Sequence, residues 1–408
     1  MHRLGSSLLE KLLALDEGHR GQKIDCGAGH EAEFVGYREK YLTTVLGSLG
    51  LRRAYYHCPK CGKGVVPKDQ ELDVVGSSYS PGVRRMLAHT GSQEPFAHAS
   101  RDLDELAGLS IPAKQVERVA EARGDRLKTQ AEGELEDYLL GRVLPLPPPS
   151  PIPTLCVTVD GQGVPTVPKE TAGRRGKAPD GRARTREAKL ACVFTQTTQD
   201  ERGQPVRDPG SSSYLAVIEP ADKFGQLTYA EALRRGLPHA QKVVIIGDGA
   251  PWIWNLANEH FPGAIQVVDV YHAREHLALV ANTTLSTNQR LRRKWLAART
   301  TELDRGDVST VLRQLKNLGG DKPQTDVLRR ALSYFETNRH RMRYGYFRRL
   351  GTFVGSGVVE AGCKTIVHQR LKQSGMRWTV RGAESVIWLR CCNQSSRWEE
   401  FLGASQTA

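Results

Sequence analysis

Two aspartates stand where an apolar run gives way to glycine. Asp160 closes LCVTVD and precedes GQGVP, and Asp248 closes KVVIIG and precedes GAPWIW. Both runs have the length and β-branched content of buried strands. In open α/β sheets the carboxyl ends of strands border the crevice where ligands bind. Neighbouring strands lie about 4.8 Å apart, so carboxylates at two adjacent strand ends can hold one cation or two adjacent ones. Asp-Gly is also among the commonest turn dipeptides, and either aspartate taken alone reads at least as readily as a turn residue. A third acid, Glu360, lies in GSGVVEAGCKTIVHQRLKQSGMRW. With Ser356 as N-cap, Val359, Cys363 and Ile366 form an apolar stripe, while Glu360, Lys364 and His368 follow at spacing four on another face. A solvated helix face carries the same pattern. The residues that follow, with Arg370, Lys372, Arg377 and Trp378, suit a phosphate backbone with stacked bases.

Sulfur makes a second constellation. HCPKCGKG sets Cys58 and Cys61 in a knuckle, and CGAGH upstream offers Cys26 and His30, with 27 residues between His30 and Cys58. Zinc binds such sets tetrahedrally, and a small β-rich module gains much of its stability from the metal. Eight cysteines in 408 residues, with no secretory pattern at the N-terminus, argue against a disulfide framework.

Charge points to the partner. Lys plus Arg number 58 against 45 Asp plus Glu, a formal net charge of +13. Each phosphate neutralised by Lys or Arg releases counterions, so nucleic acid is the expected polyanion. The charge is clustered. Lys169 to Lys189 holds eight basic residues against three acids in a Gly-rich run that includes Arg174, Arg175 and Lys177. RLRRKWLAAR, with Arg292 and Arg293, and RHRMRYGYFRR add two patches containing aromatics. Trp252 and Trp254 read as core residues. No apolar run approaches the roughly 18 residues of a membrane span, so the cytoplasm is the expected location.

The elements that must position these groups follow from periodicity. A short helix is expected at about Ser7 to Leu15. RDLDELAGLSIPAKQVERVAEARGD reads as two short helices with a Ser-Ile-Pro break, a helix-turn-helix or a plain helical hairpin. LPLPPPSPIP, with six prolines in ten residues, is neither helix nor central strand. Beyond it LCVTVD, KLACVFTQ and YLAVIE read as strands, LTYAEALRRG as a helix, KVVIIGD as a strand, WIWNLANEHF as a helix and AIQVVDVYH as a strand. Three strands, then helix, strand, helix, strand is the order of a ribonuclease-H-like α/β core. From about Tyr271 to Leu350 the pattern is helical.

The ordered motifs DGQGVP, GDGAPWIWNLA, VDVYHAREHL and YGYFRRLGTFVGSGVVEAGCKTIVHQRLKQSGMRW resemble DDE transposases of bacterial insertion sequences, most closely the Kra-type group and more distantly Mutator-type enzymes. The resemblance covers essentially the whole chain. It implies that Asp160, Asp248 and Glu360 are the catalytic triad holding Mg²⁺ or Mn²⁺, and that the helical segment between Asp269 and Glu360 is an insertion domain. Asp269 and His272 match the group's Cys-or-Asp, two residues, His motif. Asp269 competes with Asp248 for the second place, and the Asp-Gly after a buried strand fits the family pattern better. Two ions about 3.5 to 4 Å apart can activate a hydroxyl and stabilise the leaving oxygen of an in-line displacement. The implied reaction is cleavage of insertion-sequence ends and strand transfer into target DNA, by a homo-oligomer that joins two ends, in a bacterial cytoplasm near the nucleoid. The family usually shows two closely spaced cysteines where this chain has Cys26 alone, so either His30 is the substitute ligand or the site is degraded to a metal-free turn.

The expected organisation is a zinc-ribbon-like module over 1–78, a helical DNA-binding region over 79–142, a Pro-rich linker over 143–153, and an α/β, ribonuclease-H-like domain over 154–408 with a helical insertion at about 273–350. Two rival readings are a transposase-derived DNA-binding protein without catalysis and a ribonuclease-H-like nuclease that cuts without joining.

Overall fold

A computed structural model of the chain describes residues 2–145, 147–148, 150–176, 178–285, 288–319 and 325–403, apart from the side chains of 2–3 and 401–403. Two compact units emerge, Met1–Arg126 with Arg397–Ala408, and Leu127–Ser396.

In the first unit, α1 (His2–Ala14) precedes a four-stranded antiparallel ribbon, β1 (Lys23–Asp25), β2 (Glu31–Thr44), β3 (Gly47–His57) and β4 (Gly64–Val65), paired in sequence order. Leu9 and Leu13 of α1 pack on Leu42, Leu49, Leu51 and Val74. Three helices follow the short α2 (Pro67–Glu71): α3 (Pro81–Gln93), α4 (Phe96–Ala107) and α5 (Ala113–Leu139). Their shared core contains Val83, Leu87, Ala99, Leu103, Leu109, Ile111 and Val116. Ser80 caps α3 through the backbone N–H of Val83, and Gly108, at φ 62°, closes α4 in the left-handed conformation. The second of the two expected short helices is thus 27 residues long. Its run of Ala, Glu, Arg, Lys and Leu sustains helix through Gly124 and Gly133. The division between the units falls inside α5, between Arg126 and Leu127, upstream of the Pro-rich stretch.

The second unit is mixed α/β. After α5 the strands β5 (Ile152–Pro165) and β6 (Thr185–Gln196) flank a short α6 (Pro168–Thr171). A small ribbon of β7 (Thr198–Gln199) and β8 (Pro205–Val206) leads to β9 (Ser213–Val217). Then come α7 (Ala221–Arg234), β10 (Ala240–Gly247), α8 (Pro251–His260) and β11 (Ile265–Val268). The sheet order is β11-β10-β5-β6-β9. β5 is parallel to β10 and β10 to β11, while β6 is antiparallel to both β5 and β9. Consecutive residues from Thr154 to Asp160 are buried. Because successive side chains point to opposite faces, both faces of this central strand are covered.

Helices α9 (Val270–Thr284), α10 (Gln289–Arg305), α11 (Val308–Gly319), α12 (Asp326–Asn338) and α13 (Tyr344–Arg349) form the expected helical segment. The last part comprises α14 (Gly357–Gly362), a π-helical segment Cys363–His368, α15 (Gln369–Leu371) and α16 (Val380–Gln394). The short α17 (Trp398–Gly403) belongs to the first unit. No helix among the described residues is long and apolar enough to cross a membrane.

Two strand boundaries differ from the sequence expectation. β5 does not end at Asp160 but runs on through GQGVP, paired with the start of β6. Gly161 and Gly163 serve there as close-approach residues rather than turn formers. A Cβ on Gly161 would lie 2.7 Å from Glu187 Oε1, and one on Gly163 would lie 3.1 Å from Thr185 Oγ1. The run AIQVVDVYH is strand only to Val268, because Asp269 caps a helix.

Candidate active site and metal centre

Strand register relates the aspartates. Ile246 of β10 pairs with Thr158 of β5, the last pair of that ladder, so Asp160 lies two residues beyond it within β5 and Asp248 two residues beyond it in the turn after β10. Gly247 pairs with Val268 of β11, the last pair of that ladder, and Asp248 and Asp269 are the residues that follow them. The three environments differ. Asp160 is buried, and its Oδ1 accepts the N–H of Gly161 at 2.7 Å. Its Oδ2 accepts from the Gln162 amide at 3.2 Å and from the Cys363 thiol at 3.2 Å. Asp248 is half-buried; its Oδ1 accepts the N–H of Ala250 at 2.8 Å.

Asp269 is fully buried, and both its oxygens are engaged by backbone. Oδ1 accepts from Tyr271 N at 2.5 Å and His272 N at 3.0 Å, and Oδ2 accepts from Ser356 N. It therefore ties the start of α9 to the turn before α14. His272 meets Asp269 through its backbone only; its ring faces Glu275, Nδ1 to Oε2 at 3.4 Å.

Glu360 is half-buried on α14. Ser356 occupies the N-cap position without a side-chain cap bond. The expected spacing-four face does not persist, because Cys363–His368 is π-helical and its wider turn shifts the side chains that follow. Val359, Cys363 and Ile366 are buried as the stripe requires. The shift leaves Lys364 exposed and brings His368 to Gln162, with Nε2 and Oε1 2.8 Å apart, while Lys372 Nζ lies 3.1 Å from the same His368 nitrogen. Burial, and then the charges of Asp160 and Glu360, push the Cys363 thiol far above its ordinary range. It stays protonated and donates to Asp160.

The Asp248 turn is gripped by the helical segment. Tyr334 of α12 donates its hydroxyl to the Asp248 carbonyl oxygen at 2.9 Å, and its ring stacks on His276 at 3.9 Å. Gly249 has φ 104°, and a Cβ there would lie 2.6 Å from Tyr334 Cε2. Burial, and then the charges of Asp248 and Asp269, hold the Tyr334 hydroxyl un-ionised.

In the first unit the sulfur constellation is drawn together. The donor atoms of Cys26, His30, Cys58 and Cys61 all lie within 4.8 Å of one another. Two turns make this possible. Cys26 N donates to His30 O at 2.9 Å, and Cys58 N donates to Lys63 O at 2.9 Å. Gly27, Gly29 and Gly62 supply positive φ angles of 78°, 71° and 68°. His30 Nδ1 is buried without a hydrogen-bond partner. Cys26 and Cys61 sulfurs are 3.7 Å apart, matching the edge, about 3.8 Å, of a tetrahedron with metal–sulfur bonds of about 2.3 Å. The backbone N–H of Cys61 holds the Cys58 thiol down to about 7 against a burial that raises it. Soft thiolates, one imidazole nitrogen and this spacing fit zinc. Among the described residues, Asp160, Asp248 and Glu360 are not drawn together to that degree.

The basic residues divide into two groups. Arg174, Arg175 and Arg377 line one cleft of about 1040 Å³ with Arg182 and Arg184. Lys177 lies outside the described residues. Lys372 and Arg293 are exposed and Arg292 is half-buried. Arg370, expected to meet DNA, is instead fully buried, its guanidinium 4.9 Å from the centre of the Trp378 ring. A cation packed inside the fold cannot reach a phosphate, and Arg370 leaves the set of DNA contacts. Several members of the two helical patches are likewise tied down. Arg299 pairs with Glu302, Arg341 lies over Trp254, and Arg348 donates to the Asp304 carbonyl. Trp254 is buried, and Trp252 packs edge-on against Phe224.

Sequence reasoning missed Gln162, Cys363 and Tyr334. Strand alternation through Gly161 would have placed Gln162 on the Asp160 face; nothing in the sequence marks the other two.

Residues 231–397 match a family described as an uncharacterised protein family (UPF0236). No match is found among curated proteins. Among solved structures, the chain is similar to one from the Drosophila P element transposase strand transfer complex, 9% identical with a TM-score of 0.27, over 81% of this chain and 84% of that one.

Proposed function

We propose that this chain is a DDE-type DNA transposase with a ribonuclease-H-like core and an N-terminal zinc ribbon. The observation that carries the reading is that Asp160 and Asp248 each lie two residues beyond the last pair of two neighbouring parallel strands, Asp248 in the turn after β10, while the π-helical segment that follows the Glu360 helix is bonded to Asp160 through Cys363. The sheet order, with the Asp160 strand central between a parallel and an antiparallel neighbour, supports the ribonuclease-H-like assignment. Hard carboxylate oxygens suit Mg²⁺ or Mn²⁺, which when bound would activate the attacking hydroxyl and stabilise the leaving oxygen of phosphoryl transfer. The protein's own groups fix the geometry. Gly161, Gln162 and Cys363 orient Asp160, Ala250 and Tyr334 orient Asp248, and Asp269 anchors the turn that starts the Glu360 helix. Asp248 takes the second catalytic place because its carboxylate is accessible, whereas that of Asp269 is enclosed by backbone donors. Cys363, held neutral, positions Asp160 and is neither nucleophile nor ligand. DNA is the substrate, and joining two ends requires more than one copy of the chain.

The test is to incubate the full chain with labelled duplexes from the DNA flanking its coding sequence and Mg²⁺, and to map cut and joined strands. Asp160→Asn, Asp248→Asn and Glu360→Gln should each lower cleavage by about 10³-fold, several kcal/mol of lost charge stabilisation, while duplex binding stays within about twofold. Full cleavage by the Asp248→Asn protein refutes the assignment, and cutting without joining favours the nuclease reading.

A further inference from the structure

Five arginines meet in one cleft at the far end of the Asp160 strand. Its walls are the loop between β5 and β6 and the segment after α15. The loop is a closed hairpin. Gly176 donates to the Gly181 carbonyl at 2.9 Å and Ala183 to the Arg174 carbonyl at 3.1 Å, and Arg175 bridges to Arg182 in antiparallel pairing. A Cβ on Gly176 would lie 2.5 Å from Ala183 Cα, so the two arms touch through glycine. The opposite wall is tied in by the parallel bridge of Thr166 with Trp378, one residue beyond Arg377.

The charge arrangement is unfavourable for the isolated fold. Residues paired directly across two strands project to the same side, and like charges there repel. Arg175 and Arg182 are such a pair. The one acid lining the cleft, Asp180, is committed to Arg184 at 3.0 Å. No acid among the described residues forms an ion pair with the side chain of Arg174, Arg175, Arg182 or Arg377, and Asp180 meets Arg182 only through its backbone N–H, at 3.2 Å. A cleft that gathers four cations without counter-charge, three on the hairpin and Arg377 on the facing wall, suits an anion that carries several charges.

Its position names that anion. The cleft begins at Pro165, five residues beyond Asp160 on one continuous strand, or about 16 Å at a rise of about 3.3 Å per residue. Phosphates of one DNA strand recur every 3.4 Å or so of duplex axis, so the cleft would meet phosphates no more than about five nucleotides from the carboxylates. A polar chain bridges the interval: Asp160 to Gln162 at 3.2 Å, Gln162 to His368 at 2.8 Å, His368 to Lys372 at 3.1 Å. Lys372 adjoins Gln373 on the cleft wall. We infer that the arginine cleft clamps the phosphate backbone of duplex DNA within about five nucleotides of the carboxylates. The inference rests on the transposase reading for the position of the reacting phosphate, but the clamp itself stands on its own charge.

The test measures anisotropy of a fluorescein-labelled 20-bp duplex of mixed sequence with the full chain, from 50 to 200 mM KCl without divalent ions, so that cleavage plays no part. The Arg175→Gln/Arg182→Gln protein should bind at least tenfold more weakly at 100 mM KCl, and its slope of log affinity against log salt should be shallower by about 2, near 0.9 per lost contact. Arg377→Gln, on the other wall, should reduce the slope by about 1 and keeps the test valid if the hairpin variant misfolds. Unchanged slopes in both folded variants overturn the clamp. Loss confined to a single-stranded 20-mer overturns its assignment to duplex. The cleavage assay with Asp248→Asn fails or succeeds independently of either result.

Discussion

Asp248 and Asp269 each follow the end of one of two adjacent strands, yet their surroundings differ. Asp269 accepts three backbone N–H groups and is fully buried, so its charge is spent on holding two chain segments. Asp269→Asn keeps one acceptor oxygen but turns an amide N–H₂ toward a backbone donor. Stability should fall by about 1 to 3 kcal/mol, read as a lower urea midpoint, while cleavage per folded molecule stays within about tenfold of the parent. A loss as deep as that of Asp248→Asn would transfer the second catalytic place to Asp269. Cys363 adds a lesson of the same kind. Its apolar spacing made it legible as core, which it is, but the bond to Asp160 belongs to a contact across 203 positions that no local pattern encodes.

The Asp248 turn depends on α12, whose Tyr334 both bonds the Asp248 carbonyl and fills the space that a side chain at 249 would need. Tyr334→Phe removes one hydrogen bond, about 1 kcal/mol, and should slow cleavage about fivefold with duplex affinity unchanged. An unaltered rate would mean that the turn holds its shape without the hydroxyl. The strands of this unit were legible because they are β-branched runs bounded by turn residues, and the order of strands and helices follows from those runs. Their limits were less so. Gly161 and Gly163 signal a turn, yet they sit inside β5 because β6 pairs with them, at Lys189 and Glu187, a tertiary cause. Cys363–His368 reads as ordinary α-helix, and only the packed structure reveals the π turn that redirects His368. The cysteine set, by contrast, was legible in part: the Cys58–Cys61 knuckle is local, whereas the approach of Cys26 and His30 across 27 residues is a tertiary fact.

At the scale of the molecule, the two units rest on different sources of stability. The ribbon has a small core around Cys26, Ala32, Ala54, Tyr56, Cys58 and Val65, and three of the four residues that could hold a metal are members or neighbours of that core. Metal analysis of the full chain should find about one zinc per chain. Stripping it with a chelator, or the Cys58→Ser substitution, should lower the melting of the first unit and leave the transition of the sheet unit in place. A melt unchanged after complete zinc removal would show that the ribbon stands without metal. The sheet order has a consequence of another sort. The family-matched region, 231–397, starts in the last turns of α7 and holds β10 and β11 but neither β5, β6 nor β9. Such a fragment would contain Asp248 and Glu360 yet expose the bare edge of β10, whose Val244, Ile245 and Ile246 are fully buried in the intact sheet. Long apolar strand edges template pairing with other chains, so expressed alone that region would be an aggregating piece of protein rather than a minimal enzyme.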